Sequence, residues 1–116
     1  MNELPDNITA LSKPDLFEAF KFQLIKDIEN CGLNPDFVRT LMADYETIFS
    51  AVAKDVKKIM EGKENKLSEL LYRIDISEAQ IAKLMKEKRE VEFHDIIAEL
   101  IIKRELQKVV LKQMFK

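Results

Sequence analysis

A single histidine, His94, stands among Glu90, Glu92, Asp95 and Glu99. Imidazole beside carboxylates is a donor set that zinc uses, and Glu90 at i−4 would share a helix face with His94. A helical di-iron site needs Glu-x-x-His motifs on paired helices, and the chain contains no Glu-x-x-His. Zinc sites call for three or four suitable ligands. His94 therefore reads as a half-exposed histidine beside acidic neighbours, and no metal is expected. The lone Cys31 has no sequence-adjacent base to make it a nucleophile and no second cysteine for an internal disulfide. It reads as a small buried hydrophobe in a reducing, cytoplasmic setting. Gly32 and Gly62, the 2 glycines, fall where helices should stop, which leaves no glycine-rich loop for a phosphate. No catalytic residue, cofactor or small-molecule substrate is evident, and an enzyme is not expected.

Near the C-terminus Arg104, Lys108, Lys112 and Lys116 recur every fourth residue and make one helical stripe, widened by Lys103. Cations there suit the negative end of a helix dipole, so a solvated face accounts for them. The stripe is also the candidate contact strip for an acidic partner, nucleic acid or an anionic surface. The chain lacks Trp, and only Phe115 interleaves aromatic character with these bases, which disfavours membrane and nucleic acid.

The stretch Leu70-Leu71-Tyr72-Arg73-Ile74-Asp75-Ile76-Ser77-Glu78-Ala79-Gln80-Ile81-Ala82-Lys83-Leu84 resembles a DNA-binding helix-turn-helix. The resemblance covers residues 66–86, a small fraction of the chain. It implies that Glu78, Gln80 and Lys83 face base edges or phosphates. Asp75 stands where that family usually has Gly, and Glu78 puts a negative charge at the end of the helix meant to approach phosphate. A capped helix after a short turn is also what any helical bundle needs.

These residues must be held by helices. With 116 residues, 47% hydrophobic and 34% charged, and only 2 Gly and 3 Pro, the composition is that of one globular all-α domain. Residues 1–12 read as an arm and residues 13–116 as the domain. The first residues lack the basic and apolar regions of a signal peptide, and the longest apolar runs fall far short of a membrane span. Residues 1–47 carry 4 bases against 9 acids, a net of −5, while the rest are net +3. That asymmetry suits complementarity within the molecule.

Five helices are expected. Ser12-Lys13-Pro14-Asp15 predicts a start and Gly32 a stop for the first, from about Lys13 to Asn30, with Phe17, Phe20, Leu24 and Ile28 inward. Asn34-Pro35-Asp36 opens a second that the pattern carries to Gly62 on the seam Val38, Leu41, Tyr45, Ile48, Val52, Val56 and Ile59. Short helices follow over about 66–73 and 78–86, the latter opened by the capping box Ser77-Glu78-Ala79-Gln80. A final long helix runs from about Val91 to the end, and the charged run 86–90 before it reads as a turn or a continuation. Met42, Met60, Met85, Met114 and the phenylalanines of the first helix are expected in the core. The two long helices should pack roughly antiparallel in a bundle. Their apolar faces exceed what so short a chain covers, which predicts a homo-oligomer, most simply a dimer. The function expected is a non-catalytic protein-interaction or scaffold module, with DNA binding through residues 66–86 as the alternative.

Overall fold

Proline at a first helical turn and a residue of positive φ at a helix end are the two punctuation marks that organise this chain. A computed structural model describes residues 7–62 and 66–115. Among them the secondary structure is all helical: α1 (Asn7–Leu11), α2 (Pro14–Asn30), α3 (Asp36–Arg39), α4 (Tyr45–Met60), α5 (Lys66–Ile74), α6 (Glu78–Glu87) and α7 (Phe93–Met114). Pro14 opens α2 with its fixed φ, in a position where its missing N–H leaves no helical bond unmade. α2 ends in a Schellman turn at Gly32, φ +75°, where Leu33 N–H donates to the Ile28 carbonyl and Gly32 N–H to that of Glu29. α5 ends the same way at Asp75, φ +78°, with Ile76 N–H donating to the Leu71 carbonyl and Asp75 N–H to that of Tyr72. Asp75 thus takes the conformation for which glycine is the default residue.

α7 forms the spine, packing against α4 and α2 with α1, α5 and α6 adding contacts. Its Ile97, Ile101, Ile102 and Leu106 are buried against Phe20, Leu24 and Ile28 of α2 and Ile48, Val52 and Val56 of α4 in one cluster. Fully burying each such side chain is worth about 1.5–3 kcal/mol, enough to override indifferent local propensities. Ala10 and Leu11 are also fully buried, so the last residues of the segment read as an arm belong to the core.

The structure departs from the sequence reading at two places and decides between its two alternatives at a third. The helix expected from Asn34 to Gly62 is two, α3 and α4, parted by Thr40–Asp44. Asp44 accounts for the break: its carboxylate accepts from the Thr47 amide at 3.0 Å and the Thr47 hydroxyl at 2.8 Å, starting a new helix in preference to continuing the old one. With α1, this raises the helix count from about five to seven among the described residues. The seam itself survives, since Val38, Leu41, Ile48, Val52 and Val56 are all buried although they lie on two helices and a link. Second, Met42, Met60, Met85 and Met114 are exposed rather than core, as is Phe22 at 71%. Met42 falls in the link between α3 and α4, and Phe22, Met60, Met85 and Met114 lie on their helices outside the positions that are buried. Third, the charged run resolves as a turn, with α6 ending at Glu87 and α7 beginning at Phe93. No helix among the described residues is long and apolar enough to cross a membrane.

Candidate functional sites

Two features have the geometry for chemistry or recognition: a buried polar cluster between α2 and α7, and a cleft between α3, α4 and the start of α5. The cluster arises because α2 carries Gln23 and Asp27 one turn apart on the flank of its apolar face, while α7 carries Glu105, Lys108 and Lys112 on the face turned toward it. Lys108 Nζ donates to Asp27 at 2.8 Å and Lys112 Nζ to the Gln23 side-chain oxygen Oε1 at 2.6 Å. The two helices therefore run antiparallel here. Gln23 in turn donates to Asp27 at 3.2 Å. Asp27 is 4% exposed and Glu105 not at all.

Glu105 is the unusual member. Lys108 Nζ lies 3.3 Å from its Oε1, yet neither carboxyl oxygen makes a hydrogen bond as an acceptor. An ionised carboxylate left in that state would carry a heavy desolvation cost. Holding a proton resolves this, because the acid then donates to the Asp27 carboxylate. Burial, the hydrogen bond to Asp27 and that residue's charge together push the Glu105 carboxyl from its ordinary 4.5 up to about 9, against the attraction of Lys108. Burial acts against the charge on Asp27 as well. There, hydrogen bonds from Glu105, Lys108 and Gln23 outweigh it and hold the carboxyl below its ordinary value. The cluster is a neutral acid, a carboxylate and an ammonium sharing one buried space. With no exposed carboxyl, it cannot touch a substrate.

One further member of the basic stripe is also engaged within the chain. Arg104 bonds Asp75 at 2.9 Å and Gln107 at 2.8 Å, and Lys116 lies outside the described residues. Lys103, which widened the stripe, is exposed. The complementarity suggested by the uneven charge is thus realised in part by Lys108 of the basic segment and Asp27 of the acidic one.

In the helix-turn-helix segment, Ser77 caps α6 as expected. Its hydroxyl accepts from the Gln80 amide at 3.2 Å, and its own amide donates to the Gln80 side-chain oxygen at 2.8 Å. Glu78, Gln80 and Lys83 are exposed, and α6 has no fully buried residue. His94 is half-buried at the start of α7, 3.9 Å from Glu92 and 3.6 Å from Asp95, while Glu99 pairs with Lys88 at 2.7 Å. Among the described residues no group of three or more His, Cys, Asp or Glu side chains is placed to hold a metal ion. Cys31 is buried, and burial with the charge of Glu69 pushes its thiol up, outweighing Arg73 and Lys66.

The cleft was not foreseen. It has a volume of about 430 Å³, and its apolar lining is Leu33, Phe37 and Ile59. Asn34, Asp36, Asp55, Lys58 and Lys66 supply polar atoms, and Gly32 and Gly62 complete the wall. The volume falls within the range of about 300–1,000 Å³ usual for ligand sites, and an apolar floor with a few polar groups is their usual chemistry. It exists because the chain turns at Gly32 and breaks again before α4, which brings α3 over the C-terminal half of α4. The sequence reading ran one helix through that region and so had no concavity there. The one local signal was Asp44, a capping residue three positions before Thr47.

The chain matches no protein-family model, no curated protein and no solved structure. The class its fold defines is a small all-helical domain.

Proposed function

We propose that this chain is a cytoplasmic, non-catalytic protein-interaction module that receives a segment of its partner in the cleft lined by Leu33, Phe37 and Ile59. The observation that carries the reading is that cleft: a concave, apolar-floored site rimmed by polar groups and open to a ligand. Two further facts support it. The carboxyl pair with the most perturbed protonation is sealed from solvent, which favours binding over catalysis. Lys108 and Lys112 already hold α2, which favours the cleft over the C-terminal stripe as the contact surface.

The test is selection from a displayed random-peptide library on the immobilised protein, with Phe37→Ala as the comparison. Peptides sharing a motif that the wild type enriches and Phe37→Ala does not, with unchanged helical circular dichroism, would support the reading. No enrichment over bare support, or enrichment indifferent to Phe37→Ala, would overturn it.

A helix-turn-helix DNA-binding role is the second reading, favoured by the positive-φ turn at Asp75 and the exposed, Ser-capped α6. It ranks lower because the Gln80 side-chain oxygen is spent on the cap. Binding to duplex DNA that weakens steeply with salt and responds to Lys83→Ala would promote it. Self-association is the third. Phe22 of α2 and Leu111 of α7 are exposed apolar side chains that neighbour in sequence Gln23 and Lys112, which bond across the two helices. Sedimentation equilibrium at micromolar concentration decides between monomer and dimer.

A further inference from the structure

Charge in the cleft is uneven in its solvation, and that unevenness bears on what the cleft prefers. Asp55 and Lys58 both line it, one turn apart on α4, yet they form no ion pair within 4 Å of one another. Lys66 is directed at Glu69, 3.5 Å away, and Asp36 at Arg39. Lys58 is exposed, where solvent screens its charge, so an anionic ligand would gain little from it. Asp55 is half-buried and makes no hydrogen bond or ion pair among the described residues. It has lost part of its hydration with no partner in exchange, and burial pushes its carboxyl up despite the opposing charge of Lys58. A cation delivered there would restore what burial removed.

We infer that the cleft is selective for a partner segment carrying a lysine or arginine beside a large apolar side chain, the apolar group seated on Leu33, Phe37 and Ile59 and the cation paired with Asp55. This rests on the proposal that the cleft receives a partner segment. The apolar surface alone would accept any greasy side chain, whereas a half-desolvated carboxylate rejects ligands that leave it unpaired. Charge complementarity at Asp55 therefore sets specificity, and the apolar floor supplies most of the affinity.

The test repeats the peptide selection with the full chain as wild type, Asp55→Asn and Asp55→Lys. The wild type is expected to enrich Lys or Arg at a fixed spacing from an apolar residue. Asp55→Asn should keep the apolar position and lose the basic one, and Asp55→Lys should replace it with Asp or Glu. A peptide chosen from the wild-type pool should bind Asp55→Asn about tenfold more weakly, the loss expected for a hydrogen bond to a charged group. Its affinity for wild type should fall with added salt more than its affinity for the variant. Peptides with an apolar motif but no basic preference, or a basic preference that survives Asp55→Asn, would overturn the inference and leave the interaction reading standing. Failure to enrich any peptide would overturn both.

Discussion

Replacing Glu105 with glutamine removes a proton uptake that folding of the native chain requires. In the unfolded chain Glu105 ionises near its ordinary value of 4.5, whereas in the folded protein burial and Asp27 hold its proton until about 9. A group whose folded value is raised contributes stability that is fully present below the unfolded value and declines as pH rises toward the folded one. Between pH 6 and pH 8 the folded state therefore binds one more proton than the unfolded state, and stability falls by about 1.4 kcal/mol per pH unit. At pH 7, about 2.5 pH units above the ordinary value, the accumulated loss is about 3 kcal/mol. Asp27 is held below 3.8 and the Cys31 thiol above 9, so neither titrates in this window.

Glu105→Gln keeps the shape of the side chain and an N–H donor for Asp27, and it has nothing to ionise. The variant is expected to be more stable at pH 7 by up to about 3 kcal/mol, a Tm increase on the order of 10 °C for a domain of this size. Its stability should also be nearly level from pH 6 to pH 8, where the wild type slopes downward. Urea unfolding followed by far-ultraviolet circular dichroism at pH 6, 7 and 8 measures both quantities, provided the m-values agree. A wild-type stability that does not change across the window, or a variant with the same slope, would refute the protonated-acid account of the cluster.

Lys108→Met removes the cation from Asp27 while keeping a long apolar stem, and stranding a buried carboxylate should cost about 3 kcal/mol in urea unfolding at pH 7. Gly32→Ala should cost about 1–2 kcal/mol through its left-handed φ alone. A Cβ there meets nothing nearer than Lys66 Nζ at 3.8 Å, an ordinary van der Waals contact. Ser77→Ala should cost about 1 kcal/mol and speed amide exchange at the start of α6 before it affects α7.

The readable parts of this fold were those fixed by neighbours in sequence. Pro14, Gly32 and the Ser77–Gln80 box act over three or four residues, and each ended or began a helix where its chemistry says it should. The apolar seam from Val38 to Ile59 predicted burial correctly because burial depends on the type and spacing of side chains. It did not predict continuity, which Asp44 decided through a cap worth more locally than one further helical turn. The exposed methionines show the same division. Periodicity places Met42 and Met60 near an apolar face, but only the packed neighbours determine whether room remains there. The cleft was invisible for the same reason, since a concavity is made by the angle between α3 and α4.

The basic stripe exposes a deeper gap between pattern and structure. Its period of four is the period of a helix turn, so Arg104, Lys108 and Lys112 are nearly equivalent as partners for Asp27. Sliding α7 one turn along α2 would bring another cation opposite that carboxylate. The stripe alone therefore cannot choose a register. Glu105 bears on the choice, because it is the one buried acid on α7 and its proton is shared with the Asp27 carboxylate in the observed register. A slip of one turn would take Glu105 away from the charged carboxylate of Asp27, a stronger acceptor for its proton than a neutral side-chain amide. The residue that weakens the folded state at neutral pH thus also favours the observed α2/α7 alignment. Nothing in its sequence neighbourhood, a lone Glu between Arg104 and Leu106, distinguishes it from the exposed acids around it.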